Sequence, residues 1–186
     1  MTGEPENMDD STSRPDNLAA DPGRPLWAPW RIEYFKHIDD RERCFLCDNR
    51  HDHAPEHELV VARGQTAYLI MNGFPYNSGH ILVAPNRHVG DLSDLEREER
   101  EEMFDLILRI KAIMKRIMRP DGFNFGFNLG AAAGAGLRDH VHGHLVPRWF
   151  GDTNFMPVIG NLRVVPQALE DTARLLRQAW REESEP

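Results

Sequence analysis

The residues of this chain best suited to chemistry are three histidines at strict alternation, in the run Asp139-His140-Val141-His142-Gly143-His144-Leu145-Val146-Pro147-Arg148. Alternate side chains of an extended strand share a face. His140, His142 and His144 would therefore point the same way at steps of about 6.6 Å, with Val141 and Leu145 turned inward. One metal held by all three does not fit, because the outer two would stand about 13 Å apart while a zinc–nitrogen bond is about 2.1 Å. A neutral imidazole is a competent nucleophile near neutral pH, and its neighbours can donate to non-bridging oxygens. That set of abilities suits attack on phosphorus. The preceding loop, Gly130-Ala131-Ala132-Ala133-Gly134-Ala135-Gly136, is small enough for backbone N–H groups to approach a polyphosphate closely.

Cys44-Phe45-Leu46-Cys47 holds the only two cysteines, which excludes a disulfide framework. A redox pair would follow an apolar strand, whereas Asp39-Asp40-Arg41-Glu42-Arg43 precedes this one. Two unrelated buried thiols, or half of a tetrahedral zinc site needing two more ligands, remain as readings.

These groups need a scaffold, and the chain supplies its signals. Leu59–Ala62 and Thr66–Met71 are short β-rich runs split by Arg63-Gly64-Gln65, a hairpin signature. A breaker-rich loop, Asn72–Gly79, leads into a strand from His80 to Ala84 that Pro85 ends. Apolar residues recur at helical spacing from Leu95 to Ile117, predicting a long helix over Ser93–Met118 with a Ser93/Glu96 capping box. Alternating Phe123, Phe125 and Phe127 predict a half-buried strand, and His140–Pro147 another. Leu169, Ala173, Leu176 and Trp180 form the stripe of a last helix over Pro166–Arg181. The order β-β-β-α-β-β-α predicts an α+β fold, mainly antiparallel, with one long packed helix and a C-terminal helix.

With 186 residues, 40% hydrophobic and 28% charged, the chain suits one domain. The net charge of -8 disfavours nucleic-acid partners. No apolar run reaches the roughly 18 residues of a membrane helix, and no secretory signal is visible, so a cytoplasmic protein without a membrane partner is expected. Residues 1–24 carry six acids against Arg14 and Arg24, half of the net charge, in a segment with little to bury. That segment is expected to be a disordered acidic tail, followed by one domain over 25–186. The domain divides into an apolar strap with the cysteine pair (25–58), a core (59–150) and an extension (151–186). The strap, from Leu26 to Phe35, brings Trp27, Trp30, Tyr34 and Phe35 together.

His140-Val141-His142-Gly143-His144-Leu145-Val146 resembles the His-x-His-x-His-x-x motif that names the histidine triad (HIT) superfamily. The stretch Asn72-x-x-Pro75-x-x-x-Gly79-His80-x-Leu82-Val83-x-Pro85-x-Arg87-His88 is similar to the family's first nucleotide-binding stretch, and Asn128-x-Gly130 to its second. Trp27-x-Pro29-Trp30-Arg31, Phe127-Asn128-Leu129-Gly130 and Pro147-Arg148-Trp149-x-Gly151-Asp152-x-Asn154-Phe155 further resemble its bacterial diadenosine tetraphosphate phosphorylase branch.

The resemblance implies a HIT-like fold, a homodimer, and nucleotidyl transfer from a dinucleoside polyphosphate to inorganic phosphate, with no organic cofactor. The rival readings are a family hydrolase using water as acceptor and a nucleotide-binding regulator with vestigial activity. It implies that His142 attacks the α-phosphorus and that His144 and His80 contact phosphates. Asn72 would lie at the ribose and Asn128 near the phosphates, with Gly130 and Gly136 offering backbone N–H groups and Arg148 positive charge. Many family hydrolases carry Gln where this chain has Gly136, so leaving-group handling should differ from theirs. The resemblance also implies structural zinc on Cys44, Cys47, His88 and His140. A local rival set would draw on His51, His53 or His57.

Overall fold

The computed structural model describes residues 44–50, 57–135, 137, 139–152 and 168–183. The acidic tail, the aromatic strap, His51, His53, Gly136 and residues 153–167 lie outside them, as does the His57 side chain. In chain order the elements are α1 (Phe45–Asn49), β1 (Val60–Arg63), β2 (Ala67–Met71), β3 (Ile81–Pro85), α2 (Arg97–Ile117), β4 (Gly122–Phe127), β5 (Gly143–Arg148) and α3 (Leu169–Glu182). The five strands form one sheet in the order β1-β2-β3-β5-β4, every pair antiparallel. This is the expected α+β architecture.

Strand alternation divides the sheet into two faces. Leu69, Met71, Ile81, Val83, Val141 and Leu145 point to one side, where they pack against Met103, Ile107, Ile110 and Met114 of α2 and Ala173 and Leu176 of α3. Tyr68, Ile70, Leu82 and Ala84 point to the other and receive Leu46 of α1. Each such buried aliphatic side chain contributes about 1.5–3 kcal/mol, so both faces are anchored. Register places His144 opposite Leu82 of β3 and Gly126 of β4, so the reactive histidines occupy the α1 face.

Among the boundaries that differ from the expectation, two have a clear local cause. The long helix begins at Arg97 rather than Ser93. Asp91 accepts from both the N–H and the hydroxyl of Ser93 and holds residues 92–94 as a separate 3-10 turn. The capping box is formed instead by Glu96 and Glu99. The last strand begins at Gly143 rather than His140. Pro85, at the end of β3, has no N–H to extend the ladder. Its carbonyl accepts from His140 Nε2, and the Val141 N–H turns to Val89 O at 2.7 Å.

The two ends of the scaffold are tied by polar pins. The Glu102 carboxylate of α2 accepts from the N–H groups of Gln65, Thr66 and Ala67 and from the Thr66 hydroxyl, locking the β1–β2 turn. Arg109 of α2 stacks its guanidinium over Trp180 of α3, 3.9 Å from the ring centre, and donates to the Trp180 carbonyl.

Candidate functional site

The histidine cluster forms where β3 and β5 meet on the α1 face. His80 precedes β3 and is fully buried, while His142 keeps 7% of its surface. The His142 and His144 rings stand 4.9 Å apart between centres, and His80 and His144 5.3 Å apart.

Hydrogen bonds fix which nitrogen of each ring carries the proton. His142 Nδ1–H donates to the carbonyl of His140 at 2.9 Å, so its Nε2 carries the lone pair. Burial holds the His142 pKa below its ordinary value, which keeps the ring neutral at pH 7. The Tyr76 N–H donates to His80 Nδ1 at 3.0 Å. His80 Nε2 lies 3.1 Å from His144 Nδ1, and with Nδ1 of His80 occupied as acceptor, Nε2 is the donor. His144 then carries its proton on Nε2. The result is one ring with a nucleophilic lone pair beside another with an N–H suited to a phosphate oxygen.

The loops supply the rest of the wall. Asn72 Nδ2 lies 3.2 Å from His80 Nδ1, and its Oδ1 accepts from the Phe74 N–H. Asn128 Nδ2 lies 3.4 Å from His144 Nε2. Tyr76 stacks on His80 with ring centres 4.8 Å apart. Gly130 adopts φ +77° at the start of the small-residue loop, which contains a 3-10 turn over Ala131–Ala133. Gly126, beside His144 in the sheet, is exposed, and a Cβ there would meet nothing within 4 Å. The floor next to the cluster is therefore open.

Arg148 is not brought to these residues. It lies four residues along β5 from His144, about 13 Å by strand rise. Its guanidinium donates through Nε and Nη2 to Asp152 and through Nη1 to Asn124. Tyr76 and Asp152 went unassigned in the sequence, although both lie inside the stretches that carry the family resemblance. Their roles depend on stacking and on partners many residues away, which spacing does not encode.

A second cluster lies on the same face. The ligand atoms of Cys44, Cys47, His88 and His140 all lie within 4.8 Å of one another, so this group can hold a metal ion. Nδ1 of His140 is 3.3 Å from Cys44 Sγ and 3.4 Å from Cys47 Sγ, and Nδ1 of His88 is 3.2 Å from Cys47 Sγ. Tetrahedral zinc with ordinary bond lengths would space sulfur and nitrogen about 3.6 Å apart, close to these separations. The donation from His140 Nε2–H to Pro85 O, at 2.9 Å, turns the Nδ1 lone pair toward the sulfurs. Burial pushes the Cys44 thiol up to about 11 and His140 down to about 4. A neutral His140 is the form that ligates, and a divalent cation offsets the cost of the thiolates. The two clusters are joined, because the His140 whose ring faces the cysteines presents its carbonyl to His142.

The HIT domain profile matches residues 53–151. Over 167 residues the chain is 40% identical to a Mycobacterium tuberculosis protein named AP-4-A phosphorylase, covering 83% of each. It is 30% identical over 94 residues to a Schizosaccharomyces pombe bis(5'-nucleosyl)-tetraphosphatase, covering 50% of this chain and 51% of that one. Among solved structures it is similar to a zinc-bound histidine triad family protein from Mycobacterium smegmatis, with TM-score 0.62 and 30% identity over 76% of this chain and 95% of that one.

Proposed function

The chain belongs to the HIT family, and from that membership we propose a nucleotidyltransferase that cleaves dinucleoside polyphosphates through a nucleotidyl-histidine on His142. The observation that carries this reading is the bond from His142 Nδ1–H to the His140 carbonyl, which leaves a buried, neutral Nε2 as the nucleophile.

With diadenosine tetraphosphate, His142 Nε2 attacks an α-phosphorus, the bond to the bridging oxygen breaks, and ATP leaves. Inorganic phosphate then attacks the adenylyl-histidine, giving ADP and restoring the ring. In this reading the Nε2–H of His144 donates to a non-bridging oxygen as charge moves onto it, and Asn128, whose side chain lies beside that nitrogen, shares the contact. In the same reading Asn72 contacts the ribose, and the backbone N–H groups of Gly130 and Gly136 serve the phosphates. Identity to the AP-4-A phosphorylase over most of both chains supports phosphate as acceptor. Water is the alternative acceptor, as in the named tetraphosphatase relative. Product chromatography with and without inorganic phosphate separates them: ATP and ADP in equal amounts, dependent on phosphate, support the proposal, and ATP with AMP in its absence would replace phosphorolysis by hydrolysis.

Zinc is the proposed ion of the Cys44, Cys47, His88 and His140 group. The ion would act structurally, tying α1 and the loop carrying His88 to the segment that bears His142. We also propose a homodimer. Among the described residues edge strand β4 has one unpaired side, and beside it Phe104 and Leu108 of α2 and Phe125 of β4 are 51%, 59% and 39% exposed. Phe104 and Phe125 already pack edge to face at 5.7 Å, and a second copy related by a twofold axis would cover the patch and continue the sheet. No helix among the described residues is long and apolar enough to cross a membrane. Two cysteines with no disulfide between them fit a reducing cytoplasm. An acidic tail over 1–24 and one domain over 25–186 complete the proposed organisation.

A further inference from the structure

We propose that Asp152 is a positioning residue for the histidine cluster, acting through Asn77, and that Arg148 serves this bracket instead of the substrate's phosphates. The proposal rests on the nucleotidyl-transfer reading for its kinetic consequence, though not for its geometry.

The Asp152 side chain keeps only 9% of its surface. Its Oδ2 accepts from Arg148 Nε at 2.6 Å, from Asn77 Nδ2 at 2.8 Å and from the Trp149 N–H at 3.1 Å, while Oδ1 accepts from Arg148 Nη2 at 2.8 Å. A two-pronged guanidinium–carboxylate pair fixes the plane of both groups. Here it aims the remaining acceptor capacity of Oδ2 at Asn77. Arg148 also donates from Nη1 to Asn124 Oδ1, so Nε, Nη1 and Nη2 each give one N–H to Asp152 or Asn124.

Asn77 connects this bracket to the reactive rings. Its Nδ2 also donates to Pro147 O at 3.2 Å, its Oδ1 accepts from the Ser78 N–H at 3.1 Å, and its carbonyl accepts from the His80 N–H at 3.2 Å. One residue earlier, Tyr76 stacks on His80 and gives it the N–H that fixes its tautomer. Gly79, at φ +77°, closes the turn so tightly that a Cβ would fall 2.9 Å from Met118 Cε and 3.1 Å from Pro147 Cγ. Loosening Asp152 would release Asn77, then the Tyr76 N–H, and with it the proton placement on His80 and His144.

The test uses the full-length protein and the variants Asp152→Ala, Asp152→Asn, Arg148→Ala, Asn77→Ala and the double variant Asn77→Ala with Asp152→Ala. Imidazole nitrogen NMR reads the tautomers of His80 and His144, and steady-state kinetics on diadenosine tetraphosphate with inorganic phosphate separates kcat from KM. Displacing a group that acts through geometry should lower kcat by about tenfold or more, with KM for either substrate changed much less. The imidazole signals should move from single tautomers to mixtures, and the double variant should be no worse than the poorer single variant.

Glu102→Ala, which destabilises the distant β1–β2 turn, serves as a folding control and should leave the imidazole signals in place. Where Asp152→Ala does not fold, Asp152→Asn carries the same comparison. The proposal is overturned if Asp152→Ala and Asp152→Asn leave kcat and the tautomers unchanged, or if Arg148→Ala alone raises KM for phosphate or dinucleotide. Absent turnover by the wild-type protein would sink the catalytic reading, while the imidazole signals would still decide the bracket.

Discussion

His142 and His140 are coupled through one bond: the ring of the former donates from Nδ1 to the carbonyl of the latter at 2.9 Å. The same residue 140 turns its own ring to the cysteine pair. Orientation of the nucleophile and integrity of the Cys/His cluster are therefore expected to rise and fall together.

His142→Asn removes the Nε2 lone pair while keeping a side chain able to donate to the His140 carbonyl. Turnover of diadenosine tetraphosphate should fall by at least about a thousandfold, as expected for loss of a covalent nucleophile. Nucleotide affinity should be retained by calorimetry, and labelled substrate should no longer leave label on the protein. Undiminished turnover would remove His142 from the reaction.

Elemental analysis of the purified protein should find about one zinc per chain. Cys44→Ser should lower that content and also the melting temperature, since the ion ties α1 to the His88 loop and to His140. Metal-free wild-type protein of unchanged stability would refute the site.

Gly143 lies between the two site histidines, and a Cβ there would fall 2.9 Å from Val83 Cγ1 and 3.0 Å from Phe127 Cζ. Gly143→Ala should therefore cost about 1–3 kcal/mol in denaturant unfolding, as overpacked cores do. Gly126→Ala, facing open space, should cost much less, and equal effects would contradict the packing described.

Burial raises the Glu102 pKa, but donation from Thr66, Gln65 and Ala67 outweighs it and the net shift is downward from 4.5. A depressed folded value means that the carboxylate's contribution is complete above the ordinary value and is lost as pH falls through the folded one. Glu102→Gln should thus be less stable than wild type at about pH 7, with the gap narrowing toward about pH 4 and below. A gap independent of pH would exclude an ionised Glu102 as the pin.

Phe104→Glu combined with Phe125→Glu should convert a dimer into monomers by sedimentation, with little loss of helical signal, because both side chains are substantially exposed in the single chain. A wild-type protein that sediments as a monomer would withdraw the interface.

Much of this architecture is legible in local pattern. The strands over 60–63, 67–71 and 81–85, the long helix and the histidine row are announced by alternation, helical spacing and residue type. Boundaries were less legible where a side chain outcompeted the backbone pattern. Asp91 captured Ser93, and the ring of His140 left the strand direction for Cys44 and Cys47. Least legible was the surrounding of Arg148, whose charge suggested phosphate. Its actual partner Asp152 also holds Asn77, a residue separated from it by 75 positions, and no periodicity reports such a pairing.

The strand order gives the site a place in folding time. β1, β2 and β3 pair as sequential neighbours, but β3 meets β5 only after α2 and β4 have intervened, and His80 meets His144 across 64 positions. Pairings between distant segments carry the largest loop-closure cost and set the pace of folding. A chain ending before Gly143 would lack His144 and with it the His80–His144 contact. The closure that completes the sheet is the same event that brings His80 and His144 together.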